Sequence, residues 1–335
     1  MKLATFADGT PDGRLHIVSR DHKEWAPAKA ALTLQWALEN WDAAAPALAL
    51  QYEELNKGAG QSFDPAKAAA PLPRAWQWLD GSAFDSHGAL MQKVFKLPPI
   101  DTGGRPLMYQ GVSDRFYPPM ADIPLPSEED GIDFEGEFGI ITDTVPMGAS
   151  AADARKHIRL LVQINDWSLR KIAPLEMKTG FGWIQAKPAC SMAPVAITPD
   201  ELGAHWRDAR VDLPLRVTWN DKHFGAANGY AMSSGFDELV SHAAYSRELV
   251  AGTVIGSGTV SNENYREIGS SCIAERRGIE LIDLGEPKTG FMQFGDTVRM
   301  EAALPDGTPL FGAIDQTVVA AAQPERLRHL ASATT

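Results

Sequence analysis

Cysteine is almost absent: Cys190 and Cys272 are the only two among 335 residues. They lie far apart without metal-ligand spacing, which argues against a disulfide framework and a cysteine-based zinc site and suits a reducing cytosol. Clustered positive charge is missing too. With a formal net charge of -12 and no Lys/Arg-rich run, the chain lacks a nucleic-acid footprint, because phosphate binding needs grouped cations. No run of about 18 apolar residues is available to span a bilayer, and the N-terminal MKLATFADGTPDGRLHIVSR has no apolar signal-peptide core. A cytoplasmic protein with neither nucleic-acid nor membrane partners is expected. The Gly-rich loop GSGTVSN, residues 256–262, lacks the Gly-Lys-Ser/Thr ending of a phosphate loop and the third glycine of a dinucleotide fingerprint, so no nucleotide cofactor is expected.

What is present is ordinary globular composition, 44% hydrophobic and 22% charged, in a chain long enough for one large domain and a smaller one. Residues 1–20 predict a hairpin around the turn DGTPDGR. Residues 26–56 are rich in Ala and Leu at helical spacing and predict two helices broken at Pro46. The Gly, Pro and Ala-rich stretch 57–75 reads as a linker. Beyond it, apolar runs alternate with Gly, Pro, Asn and Asp, with helical patterns near 150–158, 199–208 and 235–244. The fold class expected is α+β, mainly β: an N-terminal α/β domain over 1–70, a catalytic domain over 71–325 and a tail over 326–335. PMADIPLPSEEDG, residues 119–131, reads as a solvated loop.

DFEGEFGIITD, residues 133–143, carries two acids into an apolar strand. Glu135 and Glu137 at i and i+2 share one face, roughly 6–7 Å apart along the backbone, so both can reach one ion. The alternative is an exposed edge with both acids in water. A second apolar strand, RLLVQIND, ends on Asp166. An all-oxygen donor set favours a hard cation, with Mg²⁺ first and Mn²⁺ or Ca²⁺ as alternatives.

Several motifs occur together: DFEGEFGIITD, INDWSLRK at 164–171, GTVIGSGTVSN at 252–262 and FGDTVRMEAALPDGTPLFGAIDQTV at 294–318. In this order they resemble the fumarylacetoacetate hydrolase (FAH) family over most of residues 75–322. The resemblance implies a β-sandwich-roll catalytic domain and a homodimer. It implies Glu135, Glu137 and Asp166 as metal ligands, with Asp80 in QWLDGSAFDSHGAL as a fourth and Asp114 in GVSDRF as its rival. His87, spaced from Asp80 as in the fumarylacetoacetase branch, is implied as general base. Glu275 in SSCIAER is implied as its orienting acid once one gap is allowed.

The same resemblance implies that Lys187 neutralises an oxyanion or supports the metal-bound acids. Tyr109, Arg170, Gly258 and Thr259 are implied to contact substrate. Read without the resemblance, Lys187 is a surface lysine and Arg170 an ion-pair partner. The implied chemistry is metal-assisted hydrolysis of a carbon–carbon bond in a 2,4-diketo acid or acylpyruvate. A hydratase, decarboxylase or isomerase of a 2-oxo acid, or a non-catalytic ligand-binding member, are the alternatives. Ser82, Ala173 and Lys96 depart from the branch's tyrosine, glutamine and arginine, which points to a remodelled substrate end.

Overall fold

The computed structural model describes residues 1–96 and 101–322, and the tail assigned to 326–335 lies outside the described residues. Its centre is a mixed sheet of eleven strands. The expected hairpin forms from Lys2–Phe6 and Arg14–Val18 and continues into Glu24–Pro27 and Gln61–Ser62. On its other side Lys2–Phe6 pairs with Ala196–Ile197, which leads through Ile158–Asn165, Gly136–Thr142, Thr253–Gly256 and Gln77–Gly81 to Met108–Gly111. N-terminal strands and the strands that carry the acids therefore belong to one sheet. A second sheet of five strands holds Lys222–Asn228, Pro214–Trp219, Thr297–Glu301, Ile314–Ala320 and Ile123–Leu125.

The strand Gly136–Thr142 is buried along its whole length because both of its faces are covered. Phe138 and Ile140 pack in the core that includes Leu215, Val217 and Met300 of the five-stranded sheet. Ile141, with Leu160, Val162 and Ile164 of the neighbouring strand, packs in a second core that includes Leu34, Leu38, Trp41 and Leu48 of the N-terminal helices. Alternation along a strand thus divides one apolar run between two cores. Gly139 lies where the backbones crowd: a Cβ there would meet Ile164 Cδ1 at 2.6 Å and the Ile255 carbonyl oxygen at 3.2 Å.

Three sequence expectations change. The N-terminal helices, Leu34–Glu39 and Trp41–Leu55, break at Asn40, whose side-chain amide donates to the Trp36 carbonyl. Pro46 is the sixth residue of the second helix and forfeits the backbone bond to the Asp42 carbonyl, but burial of Trp41, Ala44, Leu48 and Tyr52 holds the helix through it. The stretch 57–75 is no free linker: Gln61–Ser62 pairs with Glu24–Pro27, and Ala70 and Leu72 are buried. Within 119–131, Ile123 and Leu125 are buried in a strand running parallel to Ile314–Ala320, so only part of that segment is loop. Two helices that periodicity did not reveal, Asp85–Phe95 and Ile273–Leu284, pack together through Gly278, whose missing Cβ leaves room for Met91 and Val94. Among the described residues no helix is long and apolar enough to cross a membrane.

Gly139→Ala should destabilise the protein by about 1–3 kcal/mol through overpacking between strands. A urea midpoint equal to that of the wild type would show that the central strand has slack.

Candidate active site

Alternation that buries apolar residues also delivers the acids. Asp80 shares a strand face with Trp78, Glu137 with Ile141, and Asp166 lies two residues beyond Ile164; those three apolar residues all belong to the core beneath the N-terminal helices. Pairing sets the acids side by side, with Glu137 opposite Ile164 and Asp80 opposite Gly256. Gly256 makes the approach possible: a Cβ there would lie 2.4 Å from Asp80 Oδ1 and 2.8 Å from Glu137 Oε2. One carboxylate oxygen each from Asp80, Glu137 and Asp166 lie within 4.8 Å of one another, and all three residues are buried. Asp114 is exposed and takes no part in this cluster.

Charge compensation is uneven. Among the described residues no N–H or O–H group donates to either Glu137 carboxylate oxygen, which leaves the Asp80 carboxyl as its polar neighbour, and Asp80 Oδ1 accepts the Gly258 N–H at 3.1 Å. Burial, and then the neighbouring carboxylates, push both acids well above their usual range. Asp166 is better supplied. Its Oδ2 accepts from the Tyr109 hydroxyl and from Lys187 Nζ, each at 2.5 Å, and its Oδ1 accepts from the Cys190 thiol at 3.0 Å. Burial keeps the Tyr109 phenol and the Cys190 thiol protonated, so both remain donors.

Glu135 is adjacent but differently held. Lys187 Nζ lies 2.6 Å and Arg170 Nη2 3.0 Å from its Oε1, while Ser168 and Thr259 donate hydroxyl bonds to it. Although burial pushes its carboxyl up, the two cations outweigh that and hold it below the usual range. Arg170 also donates to Asp133 Oδ2 at 2.7 Å. Asp133 accepts the Ile273 and Ala274 N–H groups as well, anchoring the start of the helix Ile273–Leu284. Lys187 is therefore buried among acids rather than on the surface, and Arg170 is an ion-pair partner in this structure. Gly258 and Thr259, read from the sequence as substrate contacts, here bond Asp80 and Glu135. Gly258 has φ +79, and a Cβ on it would lie 2.3 Å from the Gly81 carbonyl oxygen.

The helices bring a second group together. His87 near the start of Asp85–Phe95 and Glu275 near the start of Ile273–Leu284 come within 4.8 Å of each other and of the Cys272 sulfur. Glu275 Oε1 accepts from Ser261 at 2.5 Å, and Ser261 in turn accepts from Ser86 at 2.8 Å. Burial pushes the His87 imidazole down to about 4 and the Glu275 carboxyl up to about 7, so His87 is neutral at physiological pH. Ser86, Ser261, Asp133, Ser168 and Cys190 were not singled out from sequence, since short polar residues near motifs carry no periodic signal. Of the departing residues, Ser82 is exposed, Ala173 starts the helix Ala173–Thr179, and Lys96 caps Asp85–Phe95 in a left-handed conformation. Beside the acids lies a cavity of about 950 Å³, lined by Met108, Tyr109, Phe181, Trp183 and His242. Tyr109 joins the two, with its ring on the cavity and its hydroxyl on Asp166.

The titration of Glu275 makes a pH prediction. Its ordinary value is 4.5 and the folded value about 7. Between these the unfolded chain gives up a proton that the folded protein keeps, so stability falls as pH rises through the window and levels off above it. Glu275→Gln, which cannot ionise, should gain up to ~3 kcal/mol relative to wild type from pH 4.5 to 7. Denaturant titrations at the two pH values measure this, and parallel curves would refute it.

A family model described as Fumarylacetoacetate (FAA) hydrolase C-terminal matches residues 77–319, and one described as Fumarylacetoacetase N-terminal domain 2 matches residues 1–74. A search of curated proteins found no match. Among solved structures, the maleylpyruvate hydrolase of Sphingobium sp. SYK-6 in complex with manganese(II) and pyruvate is similar at a TM-score of 0.64 and 18% identity, over 96% of this chain and 100% of that one. The fumarylacetoacetate hydrolase of psychrophilic Exiguobacterium antarcticum is similar at 0.60 and 16%, over 96% and 99%. The 5-carboxymethyl-2-hydroxymuconate delta-isomerase of Mycobacterium smegmatis is similar at 0.57 and 16%, over 96% and 100%. The acid-bearing strands, their order and the family match over residues 77–319 place the chain in the fumarylacetoacetate hydrolase family.

Proposed function

We propose that the chain is a divalent-metal-dependent hydrolase that cleaves a carbon–carbon bond in a 2,4-diketo acid or acylpyruvate. Glu137 carries the reading: among the described residues no N–H or O–H group reaches either of its buried oxygens, which face the carboxylates of Asp80 and Asp166. Such a group holds a proton or a cation, and oxygen donors alone suit Mg²⁺ first, with Mn²⁺ or Ca²⁺ as alternatives. Asp80, Glu137 and Asp166 would hold the ion, with Glu135 as a fourth acid once it loosens from Lys187 and Arg170. The manganese(II) and pyruvate of the Sphingobium enzyme support both the ion class and a 2-oxo acid product.

A bound divalent cation supplies Lewis acidity toward the paired oxygens of the substrate and offsets the charge of an enolate leaving group. His87, neutral at working pH, takes a proton from the attacking water at an imidazole nitrogen, and Glu275 orients the ring. Lys187 stays charged, because Asp166 and Glu135 more than offset the effect of its burial, and it stabilises the developing oxyanion. Tyr109 positions Asp166 and forms a wall of the substrate cavity. Arg170 Nη2, which faces Glu135 as an ion pair without a hydrogen bond, meets a substrate carboxylate, and the Gly258 N–H and Thr259 hydroxyl are freed from Asp80 and Glu135 to do the same. The homodimer reading is supported by exposed apolar side chains beside the cavity, Phe181 at 97% and Ile184 at 84%. A cytoplasmic setting and the domain division at about residue 70 belong to the same proposal. The M. smegmatis isomerase favours a second reading, in which the same metal site stabilises an enolate for isomerisation of a 2-oxo acid.

Protein loaded with Mg²⁺ or Mn²⁺ should cleave at least one of a panel of acylpyruvates, followed by loss of the enol's ultraviolet absorbance. Isomerised product without cleavage would select the second reading, and no turnover of any diketo or 2-oxo acid would sink both. His87→Ala should lower kcat by ~10²–10⁴-fold while metal affinity by calorimetry is unchanged. Glu137→Gln should weaken metal binding at least ~10-fold; unaltered affinity would mean that the ion binds elsewhere.

A further inference from the structure

We propose that His87, Cys272 and Glu275 form a second metal site, selective for zinc-like cations and separate from the all-oxygen cluster of Asp80, Glu137 and Asp166. One donor atom from each of the three lies within 4.8 Å of the other two. Glu275 is fully buried, with Oε1 tethered to Ser261 while Oε2 has no partner. His87 Nδ1 is likewise closed off without a partner. Cys272 is fixed at the N-cap of Ile273–Leu284, where its sulfur accepts the Glu275 N–H at 3.3 Å. His87 is only partly buried, which leaves an approach from its side.

Donor chemistry separates the two sites. Nitrogen, sulfur and oxygen from one residue each is a zinc-type set, whereas three carboxylates suit Mg²⁺ or Ca²⁺. Tetrahedral bonds of about 2.0–2.3 Å set donor atoms roughly 3.5 Å apart, so separations of up to 4.8 Å need to close by about 1.3 Å at most. Binding forms one bond each to imidazole nitrogen, thiolate sulfur and carboxylate oxygen; the Cys272 thiol proton, and the Glu275 proton wherever that carboxyl is protonated, leave to solvent with no redox change. A fourth position remains for water. Cys272 has no part in a His–Glu pair acting on water, yet it completes a metal triad. The consequence for activity rests on the function proposed above: a cation at this site takes up the lone pair that His87 needs as a base, so zinc inhibits while Mg²⁺ holds the acid cluster.

The test uses the full chain with saturating Mg²⁺, titrated with Co²⁺ as a spectroscopic probe. One equivalent should produce a near-ultraviolet thiolate-to-cobalt charge-transfer band. The band should vanish in Cys272→Ser and persist in Cys190→Ser, which separates this site from the thiol beside Asp166. Serine is a preferred N-cap, so Cys272→Ser keeps the helix start. Glu275→Gln should weaken Co²⁺ binding at least tenfold in the same titration. No band in the wild type, a band that survives Cys272→Ser, or one lost with Cys190→Ser overturns the proposal. These readouts need no substrate, so they stand or fall apart from the diketo-acid reading. Where cleavage is measured, Zn²⁺ should inhibit the wild type at least tenfold more strongly than Cys272→Ser, and equal inhibition overturns the regulatory consequence.

Discussion

Five carboxylates, from Asp80, Asp133, Glu135, Glu137 and Asp166, are buried around two cations, Lys187 and Arg170. Removing so many like charges from water costs several kcal/mol each unless they are paired or hydrogen-bonded. Much of the surrounding structure answers that constraint. Lys187 bridges Glu135 and Asp166, and Arg170 bridges Asp133 and Glu135, so one side of the cluster is compensated within the chain. Glu137 and Asp80 are the side that is not, which is why the divalent cation is assigned there.

The same interactions couple the two halves of the site. Asp133 takes the first N–H groups of the helix Ile273–Leu284 and the Arg170 guanidinium on one carboxylate. Asp133 thus ties the start of the helix that carries Glu275 to the ion pairs among the acids. Thr259 and Ser261 lie two residues apart on one loop, and they donate to Glu135 and Glu275 respectively. One short loop therefore touches both the acid cluster and the acid beside the histidine.

Much of this was legible in the sequence. Acids embedded in apolar runs, as in DFEGEFGIITD and RLLVQIND, pointed either to compensated burial or to a wet edge, and the fold buries both runs. The N-terminal hairpin was legible because Asp, Gly and Pro cluster at its turn. Asp85–Phe95 was not: Gly88 weakens its intrinsic propensity, and packing against Gly278 stabilises it as a helix. Pro46 misled because burial of one helix face outweighs a single lost backbone bond.

Sequence alone determined the two apolar runs that carry Glu137 and lead to Asp166, and the family resemblance, because alternation along a strand and short motifs are local properties of the chain; the strand Gln77–Gly81 that carries Asp80 was not read from it. Only the tertiary structure decided which acids meet. Asp80 rather than Asp114 joins Glu137 and Asp166, because Gln77–Gly81 pairs in parallel with Thr253–Gly256 while Asp114 remains exposed. It also decided that Glu135 turns to Lys187 and Arg170, and that a cysteine without metal-ligand spacing comes to lie beside His87 and Glu275. Those meetings join residues far apart in the chain, and their energies come from desolvation and packing that no local pattern encodes.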